Sequence, residues 1–103
     1  MKDIKLVAFD LDGTLLTFDK RITKRTYDAL EAASKQGVAI VPATGRFMRT
    51  VPQEIKGMPF VDYVISINGA YVVNVKTGEA IYRSEIPQQR ALDILSYFDT
   101  LPI

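Results

Sequence analysis

The chain has 103 residues, 48% apolar and 24% charged, the composition of one globular domain with a modest core. Its 13 Lys and Arg against 12 Asp and Glu leave a net charge of +1, which gives no electrostatic basis for binding nucleic acid or an anionic membrane. Having no His and no Cys excludes Ser-His-Asp and Cys-His catalysis, disulfides and imidazole or thiolate metal sites, so any bound metal is a hard cation held by oxygen.

In chain order, Ile4 and Leu6-Val7-Ala8-Phe9 form a short run that is apolar on both faces, the pattern of a buried strand in a parallel sheet. No signal-peptide core and no membrane-length apolar run is seen, and the expectation is a cytoplasmic protein. The run stops at Asp10-Leu11-Asp12-Gly13, where polar residues and Gly mark a loop. Thr23 reads as the N-cap of a helix over Lys24 to Gln36, with Tyr27, Leu30 and Ala33 on one face and Gly37 as its stop. Val38 to Val41 is a second buried strand, which completes a right-handed βαβ unit. Thr44 is placed to cap a second helix, with Phe47, Met48, Val51 and Ile55 on one face and Pro52 as a kink or break. Val61 to Ile67 reads as a third strand and Asn68-Gly69 as a turn. Tyr71 to Val75 and Ala80 to Arg83 follow as a hairpin about Lys76 to Glu79. A last helix begins near Pro87 and carries Leu92, Ile94, Leu95, Phe98 and Leu101.

The chemistry concentrates at Asp10-Leu11-Asp12-Gly13-Thr14. Residues two apart in extended backbone point the same way, so both carboxylates can face one crevice at the carboxyl edge of the sheet, where open α/β folds bind ligands. Two adjacent carboxylates repel each other, which calls for a divalent cation or a shared proton. With no nitrogen or sulfur ligand available, magnesium is the natural choice. One Asp can attack phosphorus while the other protonates the leaving oxygen. An EF-hand loop would need Gly at 15 and Glu at 21, where Leu15 and Arg21 stand. A solvated turn is the remaining bland alternative, but average residue usage makes a chance Asp-x-Asp-Gly-Thr an event on the order of 1% in this length. Thr44-Gly45-Arg46 follows the second strand and reaches the same edge. Its hydroxyl and amides suit a phosphate, although a plain N-cap is an equally natural role for Thr44, and Arg46 either clamps an anion or is simply solvated. Asn68-Gly69-Ala70 follows the third strand and taken singly is a turn; the convergence of three loops on one edge is the stronger sign.

Phe9-Asp10-Leu11-Asp12-Gly13-Thr14-Leu15-Leu16, Thr44-Gly45-Arg46 and Asn68-Gly69-Ala70 together resemble the haloacid dehalogenase superfamily, and within it the Cof-like phosphatases with a large α/β cap. The resemblance implies an α/β, Rossmann-like parallel sheet in which residues 1–85 are the N-terminal half of the core and 86–103 the first helix of an inserted cap. It implies Asp10 as nucleophile and magnesium ligand, and Asp12 as general acid/base whose backbone carbonyl also binds the metal. Leu11, Thr44, Gly45, Arg46 and Asn68 would be phosphate- or substrate-binding, and a helical turn and hairpin flap would fall in Gly13 to Ile22. Family members are more than twice as long, and their later half supplies a phosphate-binding Lys and a Gly-Asp acidic motif. Lys56 and Lys76 lie in other contexts, and no Gly-Asp pair occurs in the chain.

The expectation is therefore the first part of a magnesium-dependent phosphatase acting on a small phosphorylated metabolite through an aspartyl-phosphate, inactive as 103 residues alone. The first strand would be left as an open edge, to be covered by a missing C-terminal half or by a second copy. The alternatives are a non-catalytic binding or interaction module that keeps the half-site, and a phosphomutase of the same superfamily.

Overall fold

The computed structural model describes residues 3–17 and 21–102. Strand β1 (Leu6–Asp10) leads into a tight turn over Leu11–Leu15, then helix α1 (Lys24–Lys35) and strand β2 (Ala39–Ala43). A 3-10 turn (Met48–Thr50) and the short helix α2 (Gln53–Lys56) precede β3 (Tyr63–Ser66), and a second 3-10 turn (Ile67–Gly69) leads to β4 (Tyr71–Asn74) and β5 (Ala80–Arg83). Helix α3 (Gln88–Asp99) is the last element in the described residues. The strands form one mixed sheet in the order β1-β2-β3-β4-β5, with β1, β2 and β3 parallel and β3, β4 and β5 antiparallel.

Local chemistry explains most boundaries. The Thr23 hydroxyl accepts from Thr26 N–H to cap α1, and Gly37 beyond its end takes φ +88°, open to glycine at no steric cost. The hairpin turns because Asn74 Oδ1 accepts from the N–H groups of Lys76 (2.9 Å) and Thr77 (3.2 Å) while Gly78 sits at φ +79°. The core joins Leu11, Leu16, Ile40, Val51, Ile55, Met58, Val61 and Val64, flanked by Tyr27, Leu30 and Ala33 of α1. Tyr27 meets Phe60 edge-to-face at 5.3 Å.

Two expectations are corrected. The segment after β2 is not one helix capped by Thr44. Pro52 has no N–H to continue a helix, so the chain forms a 3-10 turn and then a separate short helix. Val51 and Ile55 are buried as expected, but Phe47 lies ahead of both elements and is 59% exposed. Strand β1 is not buried on both faces: it pairs with β2 alone, and Leu6 is 56% exposed because β1 is a sheet edge. The expected flap in Gly13 to Ile22 has its ends joined by Thr17 N–H to the Arg21 carbonyl at 2.7 Å, and Phe18, Asp19 and Lys20 lie outside the described residues.

Pro87 stands at the N-cap of α3, as expected, but Leu92, Leu95 and Phe98 of that helix are about half exposed. The radius of gyration is 17.2 Å, against about 13 Å for a compact chain of this size, so α3 extends away from the core. Among the described residues, no helix is long and apolar enough to cross a membrane.

Ile55→Ala empties a fully buried site and is expected to lower stability by about 2–5 kcal/mol in urea unfolding, whereas Phe47→Ala should change it by about 0.5 kcal/mol or less.

Candidate active site

The parallel register brings the carboxyl ends of three strands level. Ala43, the last residue of β2, pairs with Asp10 on one side and with Ile65 of β3 on the other. The loops that leave β1, β2 and β3 therefore start side by side. A cleft of about 330 Å3 opens between them, lined by Asp10, Ala43, Thr44, Gly45, Ile65, Asn68 and Gly69.

Each side chain is set by its own local structure. Leu11 is completely buried, which anchors the chain just past β1, and its N–H donates to Asp10 Oδ1 at 2.8 Å. Asp10 thus stands at the cleft with one carboxylate oxygen already engaged. Asp12 is extended (φ −72°, ψ 126°), and the reversal comes at Gly13 (φ +78°), after which Leu16 N–H closes the turn onto the Leu11 carbonyl at 2.9 Å.

Thr44 is 5% exposed and lies in a loop, not at a helix start. Its N–H donates to the Ile65 carbonyl (2.8 Å), its carbonyl accepts from Asn68 N–H (3.0 Å), and its Oγ1 accepts from Arg46 N–H (3.0 Å). The last of these is a short side-chain-to-backbone turn, the arrangement hydroxyl residues adopt when no helix follows. The Arg46 carbonyl in turn accepts from Ile67 N–H at 3.1 Å. To make these two cross-loop bonds the chain holds Ile67 (φ +49°) and Asn68 (φ +51°) in the left-handed region, an outlier for a β-branched residue. The turn lays the Asn68 carboxamide against Gly45, where an added Cβ would come within 3.0 Å of Asn68 Oδ1.

Arg46 turns to Asp12. Its Nε donates to Oδ2 at 2.8 Å and its Nη2 to Oδ1 at 2.7 Å, while Nη1 donates to the Thr50 carbonyl at 2.8 Å. The hydrogen bond to Asp12 holds the Arg46 pKa above its ordinary value, with the carboxylate's charge acting in the same direction and burial opposing it.

Of the expected site residues, the structure gathers Asp10, Thr44, Gly45 and Asn68 on one cleft and sets Asp12 and Arg46 beside them as an ion pair. Leu11 contributes its N–H and buries its side chain. Ala43, Ile65 and the Thr50 carbonyl escaped the sequence reading, because ordinary strand and turn residues acquire a place in the site only through register. Among the described residues, no three His, Cys, Asp or Glu converge as a metal cage. Asp10 brings a carboxylate to the cleft, a hard oxygen ligand of the kind magnesium takes.

Comparison with known proteins agrees with this geometry. The sequence model for haloacid dehalogenase-like hydrolases matches residues 7–103. The phosphatase YwpJ of Bacillus subtilis is 35% identical over 97 residues, an alignment covering 94% of this chain and 34% of that protein. The HMP-PP phosphatase of Klebsiella pneumoniae is 33% identical over 97 residues, covering 93% and 35% respectively. Among solved structures, the phosphatase BT1666 of Bacteroides thetaiotaomicron superposes with a TM-score of 0.77 at 36% identity, over 93% of this chain and 36% of that one. The chain spans about a third of the length of the curated relatives it matches. Sequence and fold agree from β1 through α3, and the chain belongs to the haloacid dehalogenase-like hydrolase family.

Proposed function

We propose that the gene product containing these residues is a magnesium-dependent phosphatase that hydrolyses the phosphate monoester of a small metabolite through an aspartyl-phosphate on Asp10. The observation that carries the reading is the single cleft that presents the Asp10 carboxylate together with Thr44, Gly45 and Asn68 at the carboxyl edge of a parallel sheet. Relatives named as phosphatases, one of them an HMP-PP phosphatase, support the reaction class and the size of substrate. The reading includes a cytoplasmic location, where phosphorylated metabolites are held.

Asp10 Oδ1 is held by the Leu11 N–H, which leaves Oδ2 to attack phosphorus in line with the ester oxygen. The leaving oxygen takes its proton from the Asp12 carboxyl group, and Asp12 then takes a proton from the water that splits the Asp10 acyl phosphate, freeing inorganic phosphate. The Thr44 hydroxyl accepts a hydrogen bond from Arg46 N–H, which leaves its own proton for a phosphoryl oxygen. The Asp10 carboxylate and the Asp12 carbonyl would hold magnesium, which when bound offsets the charge between carboxylate and phosphate. Asn68, held against Gly45, faces the substrate from the β3 side. The chain has no Gly-Asp acidic motif, and Lys56 and Lys76 lie in other contexts than a phosphate-binding Lys, so the 103 residues alone are proposed to turn over little or no substrate. Residues 86–103, where α3 extends from the core, are proposed as the start of a cap, and the outer edge of β1 as the place where a further strand adds.

In the gene product, Asp10→Asn should abolish magnesium-dependent release of phosphate from an aryl phosphate and from a panel of phosphorylated metabolites. Wild-type protein with no magnesium-dependent turnover on either would overturn the reading. Thr44→Ala should lower kcat about 100-fold through the loss of one donor to the phosphoryl oxygens. Gly45→Ala should raise KM with a smaller effect on kcat, since its methyl group displaces the Asn68 carboxamide. Turnover of an aryl phosphate by the 103 residues alone, lost on Asp10→Asn, would contradict their proposed inactivity.

A further inference from the structure

We propose that Arg46 is a positioning residue for Asp12: it fixes that carboxylate beside the cleft and does not take up the substrate's phosphoryl group. The proposal rests on the phosphatase reading above and goes beyond it by assigning the one arginine of the Thr44-Gly45-Arg46 loop.

Three features carry it. First, the guanidinium meets both carboxylate oxygens of Asp12 as a fork, at 2.8 and 2.7 Å, the geometry that fixes a carboxylate in orientation as well as in distance. Second, the fork is itself held from behind, since Nη1 donates to the Thr50 carbonyl at 2.8 Å. A planar group bonded through Nε, Nη1 and Nη2 has little freedom to swing. Third, the Arg46 backbone is pinned on both sides, its N–H to Thr44 Oγ1 and its carbonyl to Ile67 N–H. Root and tip are both fixed, and both are tied to loops that line the cleft.

The same geometry argues against a phosphate clamp. Neither Arg46 nor Asp12 lines the cleft of Asp10 and Thr44, so the guanidinium stands with its carboxylate beside it. To reach a phosphoryl group there it would have to release both Asp12 oxygens, giving up a charge-assisted pair whose side chains are only 28% and 38% exposed. Asp12 gains a fixed orientation from the arrangement. Its backbone is set by the buried Leu11 before it and the Gly13 reversal after it, and its carboxylate by Arg46. A displacement of about 1 Å at such a group can cost about 100-fold in rate.

The test compares Arg46→Lys and Arg46→Met in the gene product, using an aryl phosphate as substrate and inorganic phosphate as competing ligand. A lysine can neutralise an anion but cannot reproduce the fork and the Thr50 bond together. Positioning predicts that both variants lose kcat by about 10- to 100-fold while KM and the inhibition constant for phosphate stay within about twofold. It also predicts that Arg46→Met costs nothing further in kcat once Asp12→Asn is present, which a general loosening of the loop would not reproduce. A raised KM and weaker phosphate inhibition in Arg46→Met, relieved in Arg46→Lys, would show a phosphate clamp and overturn the proposal. Urea unfolding of the two single variants and the double variant reads the pair without turnover, and strictly additive losses would remove the pair itself. Wild-type protein without turnover would remove the phosphatase reading and the catalytic role of Arg46 with it, while coupling in the unfolding cycle would still show the ion pair.

Discussion

The site depends on one backbone constraint, the parallel register that places Ala43 opposite both Asp10 and Ile65. Parallel strands have all their carboxyl ends on one edge, so a flush register makes three consecutive loops neighbours without long-range side-chain contacts to recruit them. A shift of one residue in the β1–β2 pairing would turn the side chains of β1 to the other face of the sheet and separate Asp10 from Thr44. The chemistry is in this sense a property of the sheet edge, and the β2 and β3 loops are held to it by backbone bonds.

Those bonds are concentrated on the β2 and β3 loops and have a conformational cost. Thr44 N–H to the Ile65 carbonyl, Asn68 N–H to the Thr44 carbonyl and Ile67 N–H to the Arg46 carbonyl lace the two loops together. The last two require Ile67 and Asn68 to adopt positive φ, a conformation costing of order 1–3 kcal/mol per residue that persists because the bonds over-determine it. Gly45 completes the arrangement by leaving room for the Asn68 carboxamide. The β1 loop is held differently, by the buried side chain of Leu11 and by the pairing of Asp12 with Arg46.

The core beneath the site is made chiefly of β2, β3, α2 and the segments beside them. Strand β1 carries Asp10, yet it is an exposed edge, and α3 extends from the body with its apolar residues in contact with solvent. The chain spans about a third of its curated relatives, and these two surfaces carry much of the apolar area that its own core does not bury.

The sequence by itself determined much of this protein. The apolar runs, the Thr23 cap, Gly37 and the Pro87 start mark the main elements, because caps, glycines at positive φ and proline act through local sterics that a sequence displays directly. Asp10, Thr44, Gly45 and Asn68 were legible as candidates because each follows a strand, and strand ends are sites by topology. The tertiary structure decided the rest. The fate of Arg46 depends on the distance between two loops 34 residues apart in sequence, and no spacing rule reports a pairing of that kind. The burial of β1 depends on which neighbours it has, since an apolar run looks the same at an edge as in a centre. The segment after Thr44 showed a helical period that Pro52 divides, and there the lost backbone donor outweighed periodicity. Local chemistry is written in the chain, whereas partnership between distant segments exists only once the sheet has set its register.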